Sequence, residues 1–337
     1  MSLHGAEVVV IRGPVVESRH SIAVAVADAA GRLVAGCGNP HLVTYLRSSA
    51  KPLQALALVE TGAVEDFGIQ PAEIAVACAS HSGEDVHVAA VRSLLRRAGL
   101  SEAALNCGVH PPVERESALR ILRSGAGPTE VHCNCSGKHA GMLTTCRQLG
   151  WDLEGYWRPD HPLQQLLLAN VAAMAGLPVG EIAIGVDGCG VPVHGMPLVN
   201  MATAFARLAD SSGLEEVRQC AAKTVVQAMQ AHPYLVAGKG RFDTALMEAA
   251  RPRVAAKSGA EALFCVALPE LGLGLALKVM DGGSRAVAPA TMSVLDQLGA
   301  VTGEDLEELR NWRRPPVQNV LGQAVGHLEA RVALDFC

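Results

Sequence analysis

What most constrains the fold is where the strands lie. Glu7–Arg12, Ser21–Ala27 and Leu33–Gly36 are short, apolar, valine-rich runs separated by Gly-Pro and Ala-Gly breaks. Ala262–Leu268 and Gly274–Val279 repeat that character near the other end, around the turn Pro269-Glu270-Leu271-Gly272. Between these ends the apolar spacing is helical: Ala50–Glu60 with Pro52 in its first turn, Asp85–Arg97 stopping at Gly99, Glu116–Ser124, His139–Leu149, Pro162–Ala175, Asn200–Ala209 and Leu214–Ala231. Ser284–Gln297 is helical after the last strand, and Ile74–Ala79 is a short strand-like run ending in Ser80-His81-Ser82-Gly83. Strands at both ends with helices between predict a mixed α/β (α+β) chain, its sheet assembled from the two chain ends and a helical lobe inserted between them. The expected organisation is a single catalytic domain with a sheet lobe, from roughly residues 1–45 and 255–337, and a mainly helical lobe, from roughly 46–254.

Composition narrows the function classes. Half of the 337 residues are hydrophobic and 18% are charged, so the chain can bury a large core and is not a disordered one. Asp and Glu outnumber Lys and Arg by 33 to 28, the wrong balance for gripping a phosphate backbone, and 3% aromatics cannot furnish base-stacking platforms. No nucleic-acid partner is therefore expected. No apolar run reaches the ~18 residues of a membrane span. Met1–Pro14 lacks a basic region followed by an apolar one, so no secretory signal and a cytoplasmic location are expected. There the ten cysteines would be thiols, most of them small buried hydrophobes. Only six of the 28 basic residues are lysine (Lys51, Lys138, Lys223, Lys239, Lys257 and Lys278). Where arginine serves for a generic charge, a retained lysine marks a position that needs an amine able to lose its proton or bind a metal.

Three constellations carry chemistry. In Arg47-Ser48-Ser49-Ala50-Lys51-Pro52, Ser48 and Lys51 are three apart and share one face of a first helical turn. A neutral lysine can take the proton of a serine nucleophile there; an N-cap serine beside a solvated lysine is the plainer reading. Ser80-His81-Ser82 and Lys257-Ser258-Gly259 follow in the order Ser-x-x-Lys, Ser-x-polar, Lys-Ser-Gly of penicillin-recognising enzymes. Ser82 and Asp85 also read as a cap for the next helix. The third constellation, His132-Cys133-Asn134-Cys135-Ser136-Gly137-Lys138-His139, pairs with Asp187-Gly188-Cys189-Gly190. Its thiols suit zinc, although the spacing is not that of a zinc finger; a Cys–His nucleophile pair or plain buried thiols fit the same residues.

Together these segments, with Gly238-Lys239-Gly240-Arg241-Phe242-Asp243-Thr244 and Lys257-Ser258-Gly259-Ala260-Glu261, resemble the zinc-containing, serine-dependent L-asparaginases of the Rhizobium etli type, the asparaginase II family. The matching stretches run in order along nearly the whole chain, and Cys-x-Cys-Ser-Gly-Lys-His and Asp-Gly-Cys-Gly are its most specific parts.

The resemblance implies a fold similar to serine β-lactamases and glutaminases, a homodimer, and hydrolysis of L-asparagine to L-aspartate and ammonia. It implies two Ser–Lys pairs, Ser48 with Lys51 and Ser80 with Lys257; Lys239 competes with Lys257 for that role. Cys135, Lys138 and Cys189 would ligate zinc, and Arg47, His139 and Asp187 would contact substrate or ligands. In the expected chemistry Ser48 attacks the side-chain amide after Lys51 accepts its proton. Two thiolates reduce the Lewis acidity of zinc, which favours a substrate-positioning role over water activation. A lysine ligand must be deprotonated, so zinc binding is expected to weaken as pH falls. A glutaminase or another amidohydrolase on the same scaffold is an alternative, since one methylene is worth only about 1–3 kcal/mol of discrimination. A zinc-dependent ligand sensor, with Ser48 and Lys51 as ligand contacts, is another.

Overall fold

A computed structural model describes residues 6–337, which form two compact units, each built from discontinuous stretches of chain. The first comprises the chain through Ser49, Met196–Asp210 and Ala245–Cys337. Its sheet runs in the order Pro316–Gln318, Ala324–Arg331, Glu7–Arg12, Val15–Asp28, Leu273–Val279, Leu263–Leu268, Ala255–Gly259, with antiparallel neighbours throughout. Val15–Asp28 changes character halfway along. Its first half alternates exposed and part-buried residues beside Glu7–Arg12. Ile22–Ala27 is buried on both faces, and Val24 lies between Leu277 on one side and Cys37 of Leu33–Cys37 on the other. The sheet thus joins both chain ends and extends beyond the expected strands. Ala324–Arg331 escapes a sequence reading because Leu328 is its one buried residue, so no apolar alternation marks it.

The helix Leu198–Ala209 packs on Leu273–Val279 and Val15–Asp28 in this unit, although it lies within the chain limits of the expected helical lobe. Gly274 lets it approach: a Cβ there would stand 2.0 Å from the Ala202 carbonyl oxygen and 2.2 Å from the Ala206 nitrogen. Met201, Phe205 and Leu208 are buried on it. Each such side chain contributes about 1.5–3 kcal/mol, more than the ~0–1 kcal/mol of an exposed ion pair, so burial holds this helix.

The second unit comprises Ala50–Gly195 and Ser211–Thr244. Its central helix, Lys51–Glu60, is buried from Lys51 through Val59 and packs against Ser136–Leu149, Pro162–Ala175 and Glu216–Ala231. A helix buried on every side belongs in the middle of a bundle. Ile74–Ala79, expected to be strand-like, is not a strand: Ile74–Ala77 ends the helix Pro71–Ala77, with Cys78 as its C-cap. A short buried apolar run has the same pattern in either state. Pro71 in the first turn and the Glu73 carboxylate, which accepts the Gln70 N–H at 2.7 Å, decide for helix. Glu84, not Ser82, is the N-cap residue of the helix Asp85–Arg97, and the Ser82 hydroxyl instead donates to the Ala237 carbonyl at 2.9 Å. Among the described residues, no helix is long and apolar enough to cross a membrane.

Candidate active site

The second unit buries a lysine beside a serine. Lys51 opens the central helix and is 1% exposed. Burying an amine requires acceptors. Lys51 Nζ has three: Ala79 O at 2.6 Å, Ser80 Oγ at 2.9 Å and Asn134 O at 3.4 Å. An ammonium would donate to all three. A neutral amine would keep its two N–H groups on the carbonyls and turn its lone pair to the Ser80 hydroxyl, the arrangement a general base needs. Ser80 follows the helix Pro71–Ala77, and its backbone N–H donates to Val236 O at 3.0 Å.

His81 fixes the next position. The Ser136 hydroxyl donates to Val131 O at 2.8 Å and so accepts from His81 Nε2–H at 2.9 Å, while His81 Nδ1 accepts the Gly83 N–H at 3.2 Å. His81 is therefore a neutral Nε2–H tautomer, and burial, helped by His87 and by the Lys51 charge, holds its pKa well below the usual histidine value. The His81 backbone N–H donates to Asn134 O at 3.2 Å, so the Asn134 carbonyl serves both the serine segment and the lysine. Nothing in the sequence singles out Asn134 for this, because its carbonyl rather than its side chain acts.

The expected partners Ser48 and Lys257 lie in the first unit. Ser48 sits in the 3₁₀ turn Arg47–Ala50 and is part-buried. Arg47 precedes it at φ +47°, a left-handed conformation that non-glycine residues rarely adopt. The Ser49 hydroxyl donates to Lys257 O at 2.9 Å, which ties this turn to the strand Ala255–Gly259. Gly259 allows the approach, since a Cβ there would stand 2.9 Å from Leu46 O. Lys257 is fully buried and its Nζ donates to Ser258 O at 2.8 Å. The expected pairs Ser48–Lys51 and Ser80–Lys257 are thus each divided between the two units, whereas Lys51 bonds Ser80 within one.

The three residues expected to hold zinc come together in the second unit. Cys135 is the N-cap residue of the helix Ser136–Leu149, which carries Lys138, and Cys189 lies in the turn after the strand Ala183–Val186. Lys138 Nζ donates to Cys189 Sγ at 2.9 Å. Hydrogen bonds from the Cys133 and Cys189 thiols hold the Cys135 pKa well below the usual thiol value against the cost of burial, and the charges of Lys51 and Lys138 add to them. Burial works against the charge of Lys138, but the attraction of Cys189, Cys135 and Asp187 outweighs it and raises the lysine pKa. Among the described residues no cluster of three or more His, Cys, Asp or Glu side chains is arranged to hold a metal; here the set is two thiols and an amine. Two sulfurs and one nitrogen are donors of the kind zinc takes, so the chemistry of the set fits the ion.

His139 and Asp187 flank this cluster. The Tyr156 hydroxyl accepts the Asn106 N–H at 2.9 Å and donates to His139 Nδ1 at 2.7 Å, leaving a proton on His139 Nε2, which is buried with no protein acceptor. Burial, aided by Lys138, pushes the His139 pKa well down. Asp187 shapes its own turn, with its backbone N–H donating to Val191 O and its carboxylate accepting the Gly188 N–H. His194, opposite Ile184 in the hairpin, was not singled out by the sequence. It is 1% exposed with neither ring nitrogen bonded to protein, and burial, helped by Lys138, lowers its pKa to about 4. A lone histidine in an apolar strand carries no signal that would separate it from a core residue.

Among solved structures, the chain is similar to Mglu in its native form, at 14% identity and a TM-score of 0.47 over 85% of this chain and 66% of that one. It therefore spans slightly less than two thirds of the Mglu chain. It is also similar to a β-lactamase from Mycobacterium bovis, at 16% identity and 0.41 over 82% and 94%. Simvastatin synthase from Aspergillus terreus matches at 12% and 0.39 over 77% and 86%. Likenesses this slight carry no argument about fold or function. No curated protein matches the chain. The family model described as L-asparaginase II, however, matches residues 8–330, a span that takes in the Ser80–Lys51 contact and the Cys135–Lys138–Cys189 cluster alike, and the chain belongs to that family.

Proposed function

We propose that the protein hydrolyses L-asparagine to L-aspartate and ammonia through an acyl-enzyme on Ser80, with Lys51 as its base. The observation that carries the reading is the 2.9 Å contact between Lys51 Nζ and Ser80 Oγ, with two carbonyls on the remaining lysine donors. Neutral Lys51 takes the hydroxyl proton as Ser80 Oγ attacks the side-chain amide carbon. The resulting ammonium returns a proton to the amide nitrogen, the C–N bond breaks and ammonia leaves. Water, deprotonated by the same amine, then attacks the ester, and aspartate departs as Ser80 regains its proton. Throughout, Ala79 O and Asn134 O keep Lys51 aimed at the serine.

Family membership supports a hydrolase acting on an amide, and asparagine is the substrate we assign. The free Nε2–H of His139 supports a role in contacting the substrate. Arg47 for the α-carboxylate, Asp187 for the α-ammonium, Lys257 as the second lysine and a homodimeric assembly complete the reading. Ser48 is the second candidate nucleophile, favoured by the left-handed Arg47 immediately before it. Ammonia release from L-asparagine and L-glutamine, measured side by side on purified protein, tests the assignment. Turnover of asparagine supports it; turnover of neither amide by zinc-loaded protein overturns it in favour of another substrate or a sensor.

Zinc would be held by Cys135, Lys138 and Cys189, and would supply a Lewis-acid centre that orients substrate. Replacing Cys189 with alanine is expected to abolish stoichiometric zinc in purified protein, measured by elemental analysis. Zinc retained at full stoichiometry in both Cys135→Ala and Cys189→Ala would remove these residues from the ligand set.

A further inference from the structure

Both backbone polar groups of Ser80 are tied to one segment. Its N–H donates to Val236 O at 3.0 Å, and its carbonyl accepts from Arg241 Nη1 at 3.4 Å. That segment, residues 233–241, is a single helical turn, Pro233–Val236, followed by the Gly238-Lys239-Gly240 turn. It meets the serine segment a second time, since Ser82 Oγ also donates to Ala237 O. The Thr244 hydroxyl accepts the Gly238 N–H at 3.1 Å, and one carboxylate takes two further bonds from the segment. Tyr234 Oη donates to Glu84 Oε2 at 2.5 Å, and the Lys239 backbone N–H donates to Glu84 Oε1 at 3.2 Å.

Two features show that this is a built contact and not an incidental one. Gly238 has φ +120°, and a Cβ on it would stand 2.6 Å from Glu84 Oε1 and 2.7 Å from Ser82 Oγ, so only glycine lets the turn close on the carboxylate. Behind it, Tyr234, His87 and His81 form a stack, with centroids 5.8 and 5.2 Å apart and both interplanar angles 12°. His87 Nε2–H donates to Tyr234 O at 3.0 Å, and His81 is hydrogen-bonded to Ser136. The stack leads from the segment to the residue beside Ser80.

We propose that Glu84 is a positioning residue for Ser80: through Tyr234 and the Lys239 amide it holds residues 233–241 against the serine backbone, so that Ser80 Oγ meets Lys51 Nζ. Among the described residues Glu84 shows no hydrogen bond to Ser80 Oγ or Lys51 Nζ; its carboxylate meets the segment, with His87 Nδ1 3.9 Å from Oε1. The inference rests on the Ser80–Lys51 reading of the reaction. A serine displaced by about 1 Å can lose up to ~10²-fold in rate while substrate binding is kept, so the effect belongs in kcat.

The test compares Glu84→Ala, Glu84→Gln and Tyr234→Phe in asparagine turnover and in hydrogen–deuterium exchange of peptides covering 80–84 and 237–241. Glutamine can still accept from the Lys239 amide and pair with the Tyr234 hydroxyl, so it serves as the conservative rescue. Expected are a fall in kcat of about 10- to 100-fold in Glu84→Ala with KM changed less than about twofold, near-normal kcat in Glu84→Gln, and an intermediate value in Tyr234→Phe. Exchange at 80–84 and 237–241 rises in the same order. Should Glu84→Ala fail to fold, Tyr234→Phe against wild type carries the same comparison. Unchanged exchange in the alanine variant overturns the tether. Faster exchange with unchanged kcat overturns the positioning role. A wild-type protein that turns over neither amide overturns the reaction assigned above, while exchange still decides the tether.

Discussion

Alanine at Ser80 is expected to abolish ammonia release from L-asparagine, and methionine at Lys51 to lower kcat by about 10²–10⁴-fold, the range for loss of a positioned general base. The Lys51→Arg variant separates two roles that the wild type combines. Arginine keeps the positive charge and hydrogen-bond donors but cannot surrender a proton near neutral pH. If Lys51 acted only by electrostatic attraction, arginine would retain much of the rate; as a base, it would retain almost none. Methionine matches the stem in volume but takes the lysine donor from the Ala79 carbonyl, at about 1–3 kcal/mol if it stays dry, whereas the Asn134 carbonyl keeps the His81 N–H. Stability must therefore be measured beside activity. Full turnover in Ser80→Ala, with turnover lost in Ser48→Ala, would transfer the nucleophile to Ser48.

The second large effect is on stability. Gly137→Ala is expected to destabilise the protein by at least about 3 kcal/mol in denaturant unfolding, the upper range for overpacking. A Cβ on Gly137 would stand 2.0 Å from Val76 O and 2.8 Å from its carbonyl carbon, and these are backbone atoms that cannot turn aside. Of the two helices in contact there, Pro71–Ala77 leads into Ser80 and Ser136–Leu149 carries Lys138 and His139 in its first turn. Prising them apart would cost activity in whatever fraction still folds. Gly127→Ala is the control: nothing lies within 4 Å of its Cβ position and its φ is unexceptional, so it should stay within about 0.5 kcal/mol of wild type. A stability loss of the same size in both variants would show that the close approach at Gly137 is not what matters.

Local periodicity made much of the framework legible. Asp85–Arg97 and Pro162–Ala175 have the very limits that their apolar spacing and stop signals predict. The meeting of the chain ends in one sheet followed from strands at both ends. Where tertiary context competes with pattern, the sequence misleads: Ile74–Ala79 reads as a strand until its cap is recognised, and Leu198–Ala209 reads as part of the helical lobe although it packs on the sheet.

The candidate site divides in the same way. Scarce lysines, serine motifs and thiol-rich segments drew attention to Ser80, Lys51, Cys135, Lys138, Cys189 and His139, and the resemblance to the asparaginase II family implied their roles. Which lysine hydrogen-bonds which serine was not in the sequence. Spacing suggested Ser48 for Lys51, yet the hydrogen bond runs from Lys51 to Ser80, 29 residues away along the chain. Asn134 enters through its carbonyl, Tyr156 through the tautomer it imposes on His139, and Glu84 through a turn 155 residues distant. Chain order fixes what side chains can do, because their chemistry is local; pairing depends on distances that only packing sets, because a hydrogen bond reaches about 3 Å and takes no account of sequence separation.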